Sequence, residues 1–137
     1  MRRITEIILH CSATQAGQDF KMADIDRWHK KQGWDGCGYH FVIDLDGTIE
    51  LGRSIVKQGA HTSGRNAFSI GVCYIGGLDR NGKPADTRTE AQNESFKILL
   101  TLLHRMFPEA KLHGHREFAN KACPCFDVAD YAYIFNK

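Results

Sequence analysis

The chain has 137 residues, of which 42% are hydrophobic, so it can bury one ordinary core and falls within the size range of one domain. The net charge is only +2 at pH 7 and the charges are not gathered into runs, which gives no case for nucleic acid as a partner. The apolar stretches are shorter than the roughly 20 residues that a membrane-spanning helix needs. We therefore expect a single soluble domain over residues 1–137, a monomer that does not bind a membrane.

The N-terminus and the cysteines indicate where the chain resides. Met1-Arg2-Arg3 has the charge of a signal-peptide start, but the apolar residues after it end at His10, too early for a signal peptide. The five cysteines are odd in number and lack the spacing of a disulfide framework, which favours reduced thiols. We expect a protein that is cytoplasmic in the cell that makes it.

The first elements alternate between strand and helix patterns. Residues 4–9 are rich in β-branched side chains and predict a strand with His10 at its carboxyl end, followed by a loop over residues 12–19. Residues 22–32 place Ile25 and Trp28 at helical spacing and predict a short helix.

A β-hairpin is predicted next. Residues 39–44 alternate as a strand does, with Tyr39 and Phe41 on one face, and Asp46-Gly47 leads into a second strand over residues 48–51. Residues 69–75 are nearly all apolar and predict a central strand, after which residues 76–86 read as a loop.

The second half begins with a helix start signal. Thr89 and Gln92 form a capping box, and the apolar residues that follow predict a helix that Pro108 ends. A short strand near residues 111–113, an irregular segment to residue 125 and a final helix from about residue 128, capped by Asp127, complete the chain. Together these elements predict an α/β fold, with a mixed central β-sheet flanked by helices.

Histidines and cysteines near the C-terminus indicate a metal site. His113, His115, Cys123 and Cys125 are the densest local group of metal ligands. They could close a four-ligand structural zinc site by themselves. One histidine and one cysteine could instead join the distant His10 and leave a position for water, as a hydrolase requires. The residue types alone leave both alternatives open, together with no metal at all.

Motifs spread over nearly the whole chain resemble those of a known family, the type 2 N-acetylmuramoyl-L-alanine amidases, which are related to the peptidoglycan recognition proteins. In chain order, the motifs are His10-Cys11-Ser12-Ala13-Thr14, Trp28-His29-Lys30-Lys31-Gln32-Gly33-Trp34, Gly38-Tyr39-His40-Phe41, Asp46-Gly47-Thr48, Gly52-Arg53, His61, Ser69-Ile70-Gly71-Val72, Gly76-Gly77, His115 and Lys121-Ala122-Cys123-Pro124. The resemblance is specific because widely separated motifs occur in the family's order.

The resemblance implies an enzyme and assigns roles to residues. It implies Zn²⁺ held by His10, His115 and Cys123, with water in the fourth position. It implies hydrolysis of the amide bond between N-acetylmuramic acid and L-alanine in peptidoglycan, as in a phage or prophage endolysin that reaches the cell wall after its release. The same resemblance implies catalytic roles for Tyr39 and Lys121, and it assigns His61 to the substrate cleft.

Two thiols depart from the family pattern. Cys125 stands where close relatives carry a small polar residue or another residue type, and Cys11 adjoins a predicted ligand. Either thiol could compete for metal or become oxidised. A disulfide between Cys123 and Cys125, which are separated by one proline, would consume the ligand and inactivate the enzyme.

Two other functions are compatible with parts of the sequence. A non-catalytic peptidoglycan-binding module would share the motifs, but it would not need an open zinc site. A zinc-stabilised interaction domain would use the local histidines and cysteines. Two sulfur ligands on the metal would favour the interaction domain, and one sulfur with two nitrogens would favour the amidase.

Overall fold

The computed structural model describes residues 1–136. The strands are β1 (Glu6–Cys11), β2 (Thr14–Gln15), β3 (Phe41–Ile43), β4 (Ile49–Leu51), β5 (Ser69–Tyr74), β6 (Gly77–Leu78) and β7 (Lys111–Gly114), and the helices are α1 (Met22–Lys31), α2 (Glu90–Met106) and α3 (Ala132–Phe135). A five-stranded sheet in the order β4-β3-β5-β1-β7 forms the centre of the molecule. All neighbours in the large sheet are parallel except β3 and β4, which form the predicted hairpin. The predicted mixed sheet is confirmed.

Both faces of this sheet are covered, which explains why β1 and β5 consist mostly of apolar residues. Every residue of β1 and β5 is buried. On one face, Leu9 and Val72 pack with Phe96 and Leu100 of α2 in the larger core. On the other face, Ile25 of α1 packs in a smaller core. Ile7, Leu9 and Cys11 of β1 all belong to the larger core. Because side chains of a strand alternate between its two faces, His10 points to the opposite face from Leu9 and Cys11.

Helix α2 begins as the sequence predicts. The Thr89 hydroxyl accepts a hydrogen bond from the Gln92 backbone N–H at 3.0 Å, and the Gln92 side chain accepts one from the Thr89 N–H at 2.9 Å. The buried Gln92 amide also donates to the backbone oxygens of Ile43 and Ile75 at 3.2 and 3.0 Å. The capping box therefore joins the helix start to two strands as well as satisfying its free backbone groups.

Several element boundaries differ from the prediction. Strand β3 begins at Phe41, so the predicted shared face of Tyr39 and Phe41 is wrong: Tyr39 lies before the strand and packs against the smaller core with Val42, whereas Phe41 packs in the larger one. Strands β2 and β6 pair inside regions predicted as loops. The final helix starts with a 3₁₀ turn over Val128–Tyr131, and Asp127 caps it by accepting from the Ala129 N–H.

No helix within residues 1–136 is long and apolar enough to cross a membrane.

Candidate active site

The strand register brings two histidines together at one edge of the sheet. Strands β1 and β7 are parallel, and Leu9 pairs with Gly114. The residues that follow this pair, His10 and His115, therefore emerge side by side, and their ring centroids are 4.6 Å apart. Carboxyl ends of parallel strands are the usual location of ligand sites in open α/β sheets.

Cys123 returns to the same edge through a short loop. A 3₁₀ turn over His115–Glu117 reverses the chain after β7, and the Arg116 backbone N–H donates to the Cys123 carbonyl at 2.8 Å. The Cys123 sulfur then lies 3.2 Å from the Cys11 backbone N–H, which donates to it, and 3.9 Å from Nδ1 of His10. The potential ligand atoms of His10, His115 and Cys123 all lie within 4.8 Å of one another.

The environment of these imidazoles keeps them neutral and able to bind a cation. Burial lowers the pKa of His10 well below its ordinary value, with smaller electrostatic contributions from His61, His115 and the Lys121 ammonium. Burial and the Lys121 ammonium also lower the pKa of His115. Two neutral nitrogens and one sulfur fit Zn²⁺, and three protein ligands are typical of catalytic zinc sites, which keep one position open.

The second ring nitrogen of His10 is held by polar groups behind the site. Nε2 of His10 lies 2.9 Å from Nδ1 of His61 and 3.3 Å from the Thr62 hydroxyl. On the far side of its ring, Nε2 of His61 lies 3.3 Å from the hydroxyl of the fully buried Ser69. A buried row of side chains therefore runs from the candidate ligand to strand β5.

Two glycines leave the space that the His61 ring occupies. A Cβ atom at Gly71 of β5 would lie 2.6 Å from Cδ2 of His61, and one at Gly59 would lie 2.7 Å from the same atom. Real side chains do not approach this closely. Burial lowers the pKa of His61 to about 3, so this imidazole is also neutral at neutral pH.

Tyr39 lies on another side of His10. Their ring centroids are 5.0 Å apart, and the His29 ring packs behind Tyr39 at 5.7 Å. Nδ1 of His29 accepts a hydrogen bond from the Gly38 backbone N–H at 2.8 Å, which fixes the segment immediately before Tyr39. Burial raises the pKa of the Tyr39 phenol well above its ordinary value, so the hydroxyl keeps its proton and can donate a hydrogen bond.

A cavity of about 500 Å³ opens beside this cluster, and both polar and apolar side chains line it. The residues that line it include Trp34, His61, Thr62, His115, Phe118 and Lys121. Its volume suits a small polar ligand or a segment of a larger one. The side chain of Lys121 is exposed at this cavity, whereas only 9% of His61 is exposed.

A second cavity, of about 540 Å³, does not offer comparable chemistry. Arg88 lines it and pairs with Asp86 and Asp130 at 2.8 Å each. The same guanidinium stacks on Phe126 at 3.8 Å from the ring centroid. The Arg88 charge is therefore paired within the protein, and its contacts hold the C-terminal segment in place.

The fold does not bring His113, His115, Cys123 and Cys125 together as a four-ligand zinc site. Nδ1 of His113 lies 2.8 Å from a Glu117 carboxylate oxygen, and its other nitrogen lies 3.6 Å from Glu6. The Cys125 sulfur lies 3.9 Å from that of Cys11. Within residues 1–136, the group able to hold a metal is the one that joins distant His10 to the C-terminal pair.

Comparison with known proteins gives the family. Residues 1–126 match the family described as N-acetylmuramoyl-L-alanine amidase. The chain belongs to this amidase family. The predicted family resemblance is therefore confirmed.

Relatives of the amidase include phage proteins and solved structures. The endolysin of Escherichia phage T7 is 47% identical over 122 residues, which cover 89% of this chain and 81% of that protein. The endolysin of Klebsiella phage KP32 is 44% identical over 124 residues, covering 90% and 82%. The amidase LysC from Clostridium intestinale has a TM-score of 0.84 at 28% identity, covering 98% of this chain and 87% of that one.

The structure of this amidase groups all six residues that the sequence singled out. His10, His115 and Cys123 form the cluster, Tyr39 and His61 contact the His10 ring, and Lys121 lines the adjacent cavity. Sequence reasoning missed Thr62 and Ser69, which contact His61 from two sides. Ser69 lies in the motif Ser69-Ile70-Gly71-Val72 and begins the predicted central strand, a signal that could have indicated its burial, whereas Thr62 is marked only by its position next to His61.

Proposed function

We propose that this chain is a zinc-dependent hydrolase that cuts the amide bond between N-acetylmuramic acid and L-alanine in peptidoglycan, as an endolysin of a phage or prophage. The observation that carries the proposal is the cluster of His10, His115 and Cys123 beside an open cavity. The named relatives at 44–47% identity are phage endolysins, which supports the same biological role. The enzyme is made in the cytoplasm and acts on the wall after release, as one domain over residues 1–137 and as a monomer.

In this proposal His10 (through Nδ1), His115 and the Cys123 thiolate would hold Zn²⁺. Bound there, zinc supplies Lewis acidity, which activates water and polarises the amide carbonyl. Both imidazoles are neutral at neutral pH, so neither has to lose a proton before it binds.

His61 holds His10 in the orientation that this ligand set requires. A metal on Nδ1 leaves the proton of the neutral His10 ring on Nε2, which donates to Nδ1 of His61. Nε2–H of His61 then donates to the Ser69 hydroxyl. Such outer hydrogen bonds fix the tautomer and the ring plane of a metal-binding histidine. The edge of His61 that reaches the cavity also contacts substrate, as the family resemblance implies.

Tyr39 and Lys121 act on the reacting amide without binding the metal. The protonated Tyr39 hydroxyl donates a hydrogen bond to the attacking water or to the carbonyl oxygen as negative charge develops there. The Lys121 ammonium lies at the cavity and stabilises the same charge. Both contributions are larger in the transition state than in the ground state, so they raise turnover.

A non-catalytic peptidoglycan-binding module is the alternative. A binder needs the cavity, but it gains nothing from three converging metal ligands or from a protonated tyrosine beside them. A zinc-stabilised interaction domain would need His113 and Cys125 as metal ligands. Neither belongs to the cluster, since His113 contacts Glu117 and Cys125 contacts Cys11, so this alternative is not favoured.

The test is a digest of purified peptidoglycan by zinc-loaded protein, with products identified by mass. We expect free L-alanine amino termini and intact stem peptides, loss of activity on chelation, and about one zinc per chain. His10→Ala should lose both zinc and activity, whereas His104→Ala should retain both, because His104 lies in the last turn of α2 against Phe135 and outside the cluster. New reducing sugars without free peptide amines would refute the amidase assignment, because they indicate glycosidic cleavage. Binding of peptidoglycan without any product would favour the binding module.

A further inference from the structure

We propose that Cys11 and Cys125 form a reversible disulfide site that fastens the Cys123 loop to strand β1. Their sulfur atoms are 3.9 Å apart and both thiols are free. Cys11 is the last residue of β1, and Cys125 ends the loop that carries Cys123. The pair therefore spans the two segments that supply candidate zinc ligands.

The space around the pair allows the bond to form. Sulfur atoms in a disulfide are about 2.05 Å apart, so these two must approach by roughly 1.9 Å, a movement that rotation of two side chains can share. Gly77 of β6 borders them with no side chain: a Cβ there would lie 2.5 Å from the Cys11 sulfur and 3.7 Å from that of Cys125. Gly77 also has φ +102°, a conformation that favours glycine.

Of the other three thiols, only Cys123 lies close to this pair, since its side chain is a hydrogen-bond neighbour of the Cys11 thiol. Cys37 and Cys73 lie in the smaller core, on the opposite face of the sheet from Cys11. The Cys123 sulfur faces His10 and accepts a hydrogen bond from the Cys11 backbone. When zinc binds Cys123, that sulfur is also withdrawn from disulfide exchange.

Formation of the bond requires an oxidant, which we take to be a small disulfide such as oxidised glutathione. Cys125 is half-buried and Cys11 is only 5% exposed, so Cys125 reacts first. The Cys125 thiolate, after losing its proton to water, attacks one sulfur of the oxidant and releases one glutathione thiolate. The Cys11 thiolate then attacks the Cys125 sulfur of this mixed disulfide and releases the second. Two protein thiols become one disulfide, and one oxidised glutathione becomes two reduced molecules.

The expected consequence is a more stable protein with a firmly held metal loop. The bond joins residues 114 positions apart, so it restricts the unfolded chain strongly. A rise in Tm on the order of 10 °C follows for a domain of this size. Release of zinc to a chelator should become slower, an effect that rests on the zinc site proposed above. The cross-link itself does not depend on that proposal.

The experiment uses the full zinc-loaded chain, reduced and then incubated at pH 8.5 with oxidised glutathione. Free thiols are alkylated, and the cross-linked peptides are identified by mass without reduction. Tm and the rate of zinc release are measured before and after oxidation, and again after a reductant is added. Cys125→Ser is the matched control, since serine preserves the size of the side chain and cannot form the bond.

We expect a Cys11–Cys125 cross-linked peptide, a higher Tm and full reversal by the reductant, all absent from Cys125→Ser. No cross-link at equilibrium with the oxidant, or a cross-link that includes Cys123, would overturn the proposal. A Cys11–Cys125 bond accompanied by loss of zinc would also overturn it, because the loop would then be displaced instead of fastened. A protein that forms the bond but cuts no peptidoglycan would contradict only the proposed function.

Discussion

Each ring nitrogen of His10 has a different neighbour, and this asymmetry organises the site. Nδ1 faces Cys123 at 3.9 Å, and Nε2 faces His61 at 2.9 Å. Because one nitrogen of a neutral imidazole carries a proton and the other does not, the outer contact selects which one can bind a metal. The Tyr39 ring packs against His10 on another side of the cluster, and Lys121 lines the adjacent cavity. The proposed function thus assigns metal binding and catalysis to separate side chains, which mutation can distinguish.

Tyr39→Phe and Lys121→Ala should each reduce turnover while leaving zinc in place. Removing one preorganised donor costs roughly 10²–10³ in turnover. Zinc is measured by elemental analysis, folding by circular dichroism, and turnover on a muramyl-peptide substrate. Cys123→Ser is the comparison, in which metal and activity should be lost together. Near-normal turnover in both variants with full zinc would show that these two roles are misassigned.

His61→Ala should weaken zinc binding even though His61 is not a proposed ligand. Loss of an outer partner typically lowers metal affinity by about 10–100-fold. His61→Asn should recover part of that loss, since the amide oxygen can occupy the position of Nδ1 and accept from His10. Affinity is measured by competition with a chelating dye, and KM is measured on zinc-saturated protein. If zinc affinity is unchanged and KM is raised, His61 contacts substrate but does not support zinc binding.

At the scale of elements, parallel pairing sets the distances in the site. The register of β1 with β7 brings His10 beside His115, and the pairing of β1 with β5 carries Ser69 and Gly71 to the His61 ring. Helix α2 covers the opposite face and is tied to the sheet at its start through Gln92. The rigidity of the site therefore depends partly on this capping region.

Thr89→Ala should destabilise the fold without changing the chemistry of the site. The hydroxyl accepts from the Gln92 N–H and also donates to the Leu45 carbonyl at 2.7 Å. Loss of an N-cap side chain costs about 0.5–2 kcal/mol, and the freed Leu45 carbonyl places this site toward the upper end. Thr89→Ser retains both hydrogen bonds and is the control. Urea unfolding measures the difference, and equal stability of the two variants would contradict the capping role.

At the scale of the whole molecule, the fold keeps several histidines neutral inside a chain of small net charge. His40 shows this without touching the metal cluster: Nδ1 accepts from the Gly71 N–H at 3.0 Å, and Nε2–H donates to the Lys57 carbonyl at 2.9 Å. Burial lowers the pKa of His40 to about 4. The hydrogen bond to the Lys57 carbonyl opposes this shift in part, and the Arg2 charge adds to it. Protonation would remove the acceptor that Gly71 uses.

His40 should therefore make the protein less stable in acid. Its pKa is about 4 in the folded state and 6.5 ordinarily, so the unfolded chain takes up the proton first as pH falls. The stabilisation is complete above pH 6.5 and is lost between 6.5 and about 4, by about 3 kcal/mol at most. Urea unfolding with chelator present, at several pH values, measures this loss apart from zinc release. His40→Asn should show a weaker pH dependence, and an identical one would contradict the assignment.

The sequence by itself determined the family, the mixed sheet, the helix that Thr89 caps, and the residues expected at the site. Periodicity and capping depend on neighbouring residues, so they can be read locally. The short pairs β2 and β6, the start of β3 at Phe41 and the contacts of His61 depend on partners far along the chain. Composition alone favoured neither the local site with His113 and Cys125 nor the site with the distant His10, because residue types do not show which strand ends are adjacent. The parallel register of β1 and β7 decided that question, since it places His10 next to His115 and turns the remaining histidine toward Glu117.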